Sequence, residues 1–462
     1  MFDPYTNLKG RIPSFNKGKE ARKELALGIE CQKKKQYSAA ADHYSKSIYL
    51  NSGSSDAYNN LGVILRKQGH TQTAISCYQK SLDINPKNPG IYSNLGNALR
   101  DLGNLKLAVT KHRKAISLAP NNPECYFNLG LVLHDLGYFK DALKAYEKAI
   151  YLQPENTAYK WDKALTLLTK GDFLNGFNEY EIRWKLKTNS LRNFTKPKWT
   201  GQSLKGKILL IYQEQGFGDM IQFSRFIPMI KKRGGTIILE IQPELSSLFS
   251  NLVSADKIFK KGDSLPNYDF CIPMMSLAKI LQITIKRIPL STSFLITPPT
   301  NLMSSMDQKL HIGIVWAGKQ THKNDKNRSC KFKYFIDLFS IPNTCFYSLQ
   351  KGARETDIKD RGCESLIINL APQLHDFKDT ASAISKLDLI LSVDTATAHL
   401  AGSIGKPTWI LLPFSPDWRW MRASTASPWY PSMHLIRQSR PKDWESVLKK
   451  VKKKLQRLTF KK

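Results

Sequence analysis

Residues 207–223 read KILLIYQEQGFGDMIQF. An apolar run of strand length, 207–213, meets a glycine-bearing turn, and an amphipathic run follows. Strand, turn, helix is the unit from which parallel α/β sheets are built. A glycine turn at such a junction often approaches a phosphate. A dinucleotide loop needs G-x-G-x-x-G. Gly216 and Gly218 fill the first two positions, but Ile221 stands at the third. Glu240 follows at about the separation of the acidic ribose ligand in such loops, roughly 20 residues, so an oxidoreductase stays open. Asp219 argues against it, because a carboxylate there occupies the positive helix end that a pyrophosphate would want. Asp219 and Gln222 also have capping-box spacing. Asp219 is therefore expected as a helix cap, as a general base held in a cleft by that cap, or as both.

Upstream the period is different. Asn60-Leu61-Gly62, Asn94-Leu95-Gly96 and Asn128-Leu129-Gly130 recur every 34 residues. Gly69, Gly103, Gly137 and Gly171 keep the interval, as do Ala40, Ala74, Ala108 and Ala142, with Gly176 next in phase. Tyr44, Tyr78, Tyr146 and Tyr180 share another phase, and His112 stands in its gap. Pro86, Pro120 and Pro154 close the units. A helix pair per unit explains the set: small residues where helices cross closely, proline where the second helix must stop. This is the tetratricopeptide pattern, and it predicts an all-α array over residues 21–190. The last unit, residues 161–184, lacks a closing proline, as a terminal cap does. Such an array offers a concave surface to a protein or peptide. Asn60, Asn94 and Asn128 recur on the first helix of each unit, either as a ladder gripping a peptide backbone or as ordinary helix packing.

After Trp184 the repeat phase ends, and residues 191–206 read as a linker. Short apolar runs then alternate with helix-like stretches: 207–213, 236–242, 268–274, 311–316, 345–350, 365–370, 387–394 and 407–412. They predict two Rossmann-type α/β halves, 207–300 and 309–445, facing each other across a cleft at the strand C-terminal ends. A basic leader (1–20) and a basic amphipathic helix (446–462) complete the layout.

The formal charge is +32. It is compatible with nucleic acid, with anionic lipid, or with lysines spread over every surface. No nucleic-acid motif is recognised, so nucleic acid is not expected as a partner. The one local concentration is VLKKVKKKLQRLTFKK (447–462). Its Val447, Leu448, Val451, Leu455 and Leu458 fall near helical spacing, which suits docking on the protein itself or peripheral contact with a membrane. The seven cysteines include no C-x-x-C pair, so neither zinc knuckle nor redox motif is signalled. No apolar run reaches the roughly 18–20 residues of a membrane span, and the first 20 residues lack a signal-like stretch. A cytoplasmic protein is expected, with contact at the inner membrane face left open.

Three further segments carry candidate chemistry. Residues 316–329, WAGKQTHKNDKNRS, follow a strand and include Lys319, His322, Lys323, Lys326 and Arg328. Cationic groups beside a strand end suit a diphosphate. In residues 392–402, SVDTATAHLAG, Asp394 and Thr395 turn the chain and Ala396 and Thr397 open a helix. Small residues there let a ligand reach the backbone N–H groups, with His399 one turn on. Residues 411–433 are rich in aromatic residues and proline. Trp418 and Trp420 either stack on a base or sugar or lock the C-terminal turn.

Taken together, YQEQGFGD, VWAGKQTHKNDKNRS, DTATAHLAGSIGKPTWILLPFSPDWRW and SPWYPSM, behind the repeats, resemble bacterial tetratricopeptide proteins with a heptosyltransferase-like C-terminal half. That half is similar to glycosyltransferase family 9, of GT-B architecture. The layout also resembles O-linked N-acetylglucosamine transferases. The resemblance covers about residues 21–445, and D-T-x-x-x-H-L-A-G-x-x-G-K-P is its most specific part. It implies inverting, metal-independent sugar transfer from a nucleotide-sugar, with no cofactor and no bound metal. By match, Asp219 is the base, Lys319 or Arg328 meets the diphosphate, and Asp394 to His399 lie at the nucleotide. Classical heptosyltransferases carry no repeat array, so their donor and acceptor do not transfer. The acceptor, protein or glycan, is expected to be recruited by the array. The alternative is an interaction scaffold whose GT-B body no longer transfers sugar.

Overall fold

The computed structural model describes residues 14–186, 192, 194–250, 252, 254–290, 295, 307–422 and 424–459. Most of the expected leader, part of the linker and most of the stretch between the two α/β halves lie outside these. The chain divides into two compact units, Met1–Tyr159 and Lys160–Lys462.

The first unit is a run of paired helices: α1 (Ser14–Lys33), α2 (Tyr37–Leu50), α3 (Ser55–Gln68), α4 (Thr71–Ile84), α5 (Pro89–Leu102), α6 (Leu105–Leu118), α7 (Pro123–Leu136) and α8 (Phe139–Leu152). The periodic residues explain their ends. Gly69, Gly103 and Gly137 stop α3, α5 and α7 in the left-handed conformation, with φ of 93°, 86° and 83°, which glycine adopts without a Cβ penalty. Asn88 and Asn122 cap α5 and α7, each followed by proline at the first helical position, where no N–H is needed. The glycine of each N-L-G triplet sits against an aromatic ring of the paired helix. A Cβ at Gly62 would lie 2.7 Å from the Tyr78 ring, one at Gly96 2.6 Å from His112, and one at Gly130 2.5 Å from Tyr146.

Neighbouring repeats are tied by side chains one repeat and one residue apart. Arg66 pairs with Asp101 at 2.6 Å and Arg100 with Asp135 at 2.5 Å. Asn94 donates to Asn59 at 2.9 Å and Asn128 to Ser93 at 3.0 Å. Asn60 accepts from Asn59 at 3.3 Å. The amide groups of Asn94 and Asn128 thus already serve packing between repeats.

His112 is fully buried, and neither ring nitrogen has a partner among the described residues. Burial, aided by Arg100 and Arg66, pushes it down to about 4 from an ordinary 6.5. Because the folded value lies below the unfolded one, this ring stabilises the fold fully only above pH 6.5. That contribution, at most about 3 kcal/mol, fades as pH falls from 6.5 towards 4. His112→Tyr restores the residue of the other repeats, whose rings fit the same niche. It is expected to raise stability by about 1 kcal/mol at neutral pH and to flatten this pH dependence. Amide exchange in α5 and α6 of the full chain between pH 4.5 and 7.5 measures both.

The second unit holds two parallel sheets. The strands are β1 (Ile208–Tyr212), β2 (Thr236–Ile241), β3 (Lys257–Lys260), β4 (Phe270–Pro273), β5 (Leu310–Val315), β6 (Thr344–Ser348), β7 (Ile368–Asn369), β8 (Leu389–Val393), β9 (Thr408–Leu412) and β10 (Met433–Arg437). Their orders are β3-β2-β1-β4 and β10-β9-β8-β5-β6-β7. β1 lies between β2 and β4, with Leu209 opposite Ile237 and Phe270. The chain runs outward from β1 through β2 to β3 and returns to the far side as β4. The second sheet reverses likewise between β5 and β8, where Ile312 faces Leu389. Such reversals open a crevice at strand C-terminal ends. The loop after β1 borders the first crevice, and those after β5 and β8 border the second.

The array was expected to reach residue 190, yet the division falls after Tyr159, within helix α9 (Thr157–Lys170). Helix α10 (Phe173–Glu179) belongs to the α/β core: Phe173 stacks on Trp429 at 5.4 Å, and Phe177 meets Trp418 edge-on at 5.7 Å. The C-terminal helix, Trp444–Thr459, buries Val447, Leu448, Val451 and Leu455 in the core of the second sheet. Its apolar face is taken up by its own domain, which answers the choice between self-docking and membrane contact for that face. Leu458 stays exposed. Among the described residues, no helix is long and apolar enough to cross a membrane.

Candidate functional site

The loop after β1 is pinned from both ends. Glu214 is buried and accepts two hydrogen bonds from Arg183, at 2.8 and 3.1 Å, and one from the Met275 N–H at 2.7 Å. Gln242 holds the Gln215 carbonyl at 2.9 Å. Gly216 then caps helix α11 (Phe217–Phe223). Asp219 reaches back to accept from the Gly216 N–H at 2.9 Å, so the carboxylate is a cap, but its partner is Gly216 rather than Gln222.

Gly218 has a use other than approach to a phosphate. A Cβ there would lie 2.8 Å from the His399 ring and 3.5 Å from the Ala396 Cα. Glycine lets the start of α11 seat directly on the helix Ala396–Ser403 that follows β8. Thr395 caps that helix, its hydroxyl accepting from the Ala398 N–H at 3.4 Å and lying 3.0 Å from the Ser392 hydroxyl. Ala396 and Thr397 form its half-buried first turn. The two crevice loops, about 180 residues apart in sequence, therefore meet at their helix N-terminal ends.

His399 is buried, 3.0 Å from the Tyr430 hydroxyl and stacked on Trp420 at 5.2 Å. Burial pushes it well below its ordinary value, and Arg419, Arg225 and Arg328 add to the effect. It is a neutral imidazole at physiological pH. Asp394 lies 3.9 Å from the other ring nitrogen and keeps 14% of its side chain exposed. Burial and the neighbouring Asp417 push it up to about 6, against the pull of Arg328 and Arg419. Burial likewise pushes Tyr430 up to about 12, against Arg225.

The basic loop after β5 is held rather than loose. Asp325 is buried, accepting from Ser329 at 2.5 Å and Arg354 at 2.7 Å. Asn327 donates to the Ser415 carbonyl at 3.2 Å. Arg328 lies flat on Gly318, where a Cβ would come within 2.4 Å of its guanidinium. Its Nε has no partner among the described residues. The Arg328 charge is felt by Asp394, His399 and His322, so it faces the junction of the two loops. Lys319 is exposed. Of the two diphosphate candidates, only Arg328 is built into the site.

Trp418 and Trp420 are 3% and 0% exposed. They are packing residues, Trp418 against α10 and Trp420 against His399, and offer no open face to a base or sugar. The reading that they lock the C-terminal turn is the one the geometry supports. Between them stands a residue the sequence reading passed over. Arg419 is buried, donates to Gln222 at 2.9 Å and Asp417 at 2.7 Å, and pairs with Asp219. Burial opposes its charge, yet Asp417 and Asp219 outweigh burial and hold it above its ordinary value. An arginine between two tryptophans, next to an aspartate, was the available signal. Among the described residues, no group of three or more His, Cys, Asp or Glu side chains is arranged to hold a metal ion.

Comparison with known proteins bears on this geometry. Glycosyltransferase family 9 (heptosyltransferase) matches residues 344–447, covering β6 to β10 and the 392–402 segment. Tetratricopeptide repeat families match 55–88, 77–110, 96–137 and 123–156. This chain joins tetratricopeptide repeats to a heptosyltransferase-type region. Protein FlbA of Caulobacter vibrioides is 25% identical over 303 residues, which is 59% of this chain and 50% of that protein. The chain thus spans half the length of that relative. Among solved structures, MamA from Desulfovibrio magneticus RS-1 is 19% identical over 37% of this chain and 97% of its own, with a TM-score of 0.34. A Thermus thermophilus TPR protein, TTC0263, is 19% identical over 37% of this chain and 93% of its own, with a TM-score of 0.33. The heptosyltransferase-type match covers Asp394, Thr395 and His399 and ends beyond Arg419. Asp219 and Arg328 lie outside it.

Proposed function

We propose that the C-terminal unit is an inverting glycosyltransferase that moves a sugar from a nucleotide-sugar to a hydroxyl acceptor without a bound metal. One observation carries the reading: two loops at the switch points of separate parallel sheets meet, bringing Asp219 beside the capped N-terminus after β8. In this reading the nucleotide lies along residues 394–399. The departing diphosphate gains negative charge, which the N–H groups of Ala396 and Thr397 and the guanidinium of Arg328 stabilise. Asp219 takes the proton of the acceptor hydroxyl as it attacks the anomeric carbon. Neutral His399, wedged between Tyr430 and Trp420, shapes this floor without adding charge. The repeats recruit the acceptor, a protein or a glycan.

The test is a thermal-shift panel of ADP-, UDP- and GDP-sugars on the full chain. A ligand at 100 times its dissociation constant stabilises the native state by about 2.7 kcal/mol. One nucleotide series is expected to raise the transition of the second unit, with Arg328→Ala weakening the shift. No shift with any series would leave the interaction scaffold as the better reading.

A further inference from the structure

We propose that Arg419 is the positioning residue for Asp219, fixing its carboxylate across the junction of the two halves. The inference rests on the reading of Asp219 as base. Asp219 belongs to the helix after β1, and Arg419 to the segment after β9. The guanidinium spreads its donors over three acceptors: Asp219 and Gln222 on successive turns of α11, and Asp417 on its own segment. Trp418 lies against its face at 4.4 Å, and α10 buttresses Trp418 in turn. A planar fork held on one face has few orientations left.

The consequence is a conditional site. Each Asp219 oxygen has one fixed partner, the Gly216 N–H and the Arg419 guanidinium. Each keeps a further lone pair, and with both directions set, the free ones point reproducibly. The Arg419 contact exists only while the halves are docked. Ser247 to Asp376, at 2.5 Å, and the Phe217 and Phe377 rings, at 5.1 Å, close the same junction. A base oriented from the opposite domain is competent only in the closed arrangement, which limits proton abstraction from stray water when the halves part. Other groups whose charge reaches this cluster include Tyr180 beside α10, His322 and Arg328 from the loop after β5, Asp394, His399, and Tyr430. Arg419 is the one cation among them hydrogen-bonded to Asp219.

The experiment uses full-length protein labelled with carboxyl-13C aspartate, the Asp219 signal being assigned by its loss in Asp219→Asn. Removing the guanidinium in Arg419→Gln is expected to move the Asp219 carboxyl resonance at constant pH, because its hydrogen-bond partner is gone. Arg419→Lys, which keeps the charge but not the fork, is expected to return it only part of the way. Nucleoside diphosphate release from ADP-, UDP- and GDP-glucose, with water as acceptor, is expected to fall at least tenfold in kcat for Arg419→Gln, with KM changed less than threefold. For Arg419→Lys, release is expected to stay at least threefold low, because orientation is not rescued. An unmoved Asp219 signal in Arg419→Gln overturns the proposal. If that variant does not fold, Arg419→Lys with wild-type release overturns it instead. Wild-type release by Asp219→Asn would sink the base reading, while the carboxyl resonance still decides what Arg419 does.

Discussion

Replacing Arg183 by methionine is expected to cost the second unit about 3–5 kcal/mol, the usual loss when one partner of a buried ion pair is removed. Arg183 is 0% exposed and answers to four groups: both oxygens of Glu214, Glu181 at 2.5 Å, the Ser276 hydroxyl at 2.8 Å and the Tyr180 carbonyl at 3.3 Å. Methionine fills much of the volume and answers none of them. Burial pushes Glu214 up even with Arg183 bidentate on it, whereas Glu181 ends at about 2, because Arg183, Lys198 and Ser276 overcome its burial. Without the guanidinium, Glu214 is a buried acid whose folded value exceeds the unfolded one. A group raised in this way contributes stability below its unfolded value and loses it as pH rises. The variant should therefore weaken further from pH 5 to pH 8. Arg183→Met with Glu214→Met should recover most of the loss, because no charge is left stranded. Urea unfolding of the full chain, followed by amide exchange in β1, reads all three. A single-variant loss below about 1 kcal/mol would mean that the pair is not holding the loop.

The position of Arg183 shows what the sequence could and could not disclose. The 34-residue phase continues through Gly171, Gly176 and Tyr180, so residues 161–184 read as a closing repeat. Phase reports which residues cross closely, not what a helix packs against. The apolar faces of α10 met the tryptophans of 418–429 instead of another repeat, and no local signal distinguishes those outcomes. The eight strands expected from apolar runs are all present, and the central ones are continuously apolar because both of their faces are buried. The two missed strands, β3 and β10, are sheet edges. Lys257-Ile-Phe-Lys260 is exposed at both lysines and half-buried between them, and Met433-His-Leu-Ile-Arg437 is interrupted by half-buried His434 and Arg437, so neither forms a conspicuous run.

The candidate site was legible in types but not in partners. Gly218 is called for by the ring it receives, and that ring, His399, comes from the far domain. Trp418 and Trp420 look like open stacking surfaces because aromatic residues near proline suit either role, and burial alone separates them. Arg419 was hidden for the same reason. Its meaning comes from Asp219, 200 residues away, and pairs at that separation leave no spacing to read.

Asp219→Asn is expected to lower sugar transfer by about 10²–10⁴, the range supplied by a positioned general base, while nucleotide binding persists. The substitution is close to isosteric. The asparagine oxygen can still accept from the Gly216 N–H, so the cap survives at a cost of about 0.3–1 kcal/mol for the lost charge, but the amide NH2 then faces Arg419, which keeps Asp417 and Gln222 as acceptors. The proposed nucleotide end comprises residues 394–399 and Arg328, and among the described residues the hydrogen-bond partners of Asp219 are Gly216 and Arg419. The donor-induced thermal shift should therefore match that of wild type. Two measurements on one variant separate the two roles of the carboxylate. Lost turnover with an intact shift assigns it the proton. Wild-type turnover reduces it to a cap that holds α11 against Arg419. A lost shift would mean that Arg419, released from its partner, has disturbed the floor around Asp394 and His399, and amide exchange in the helix Ala396–Ser403 would register that disturbance directly.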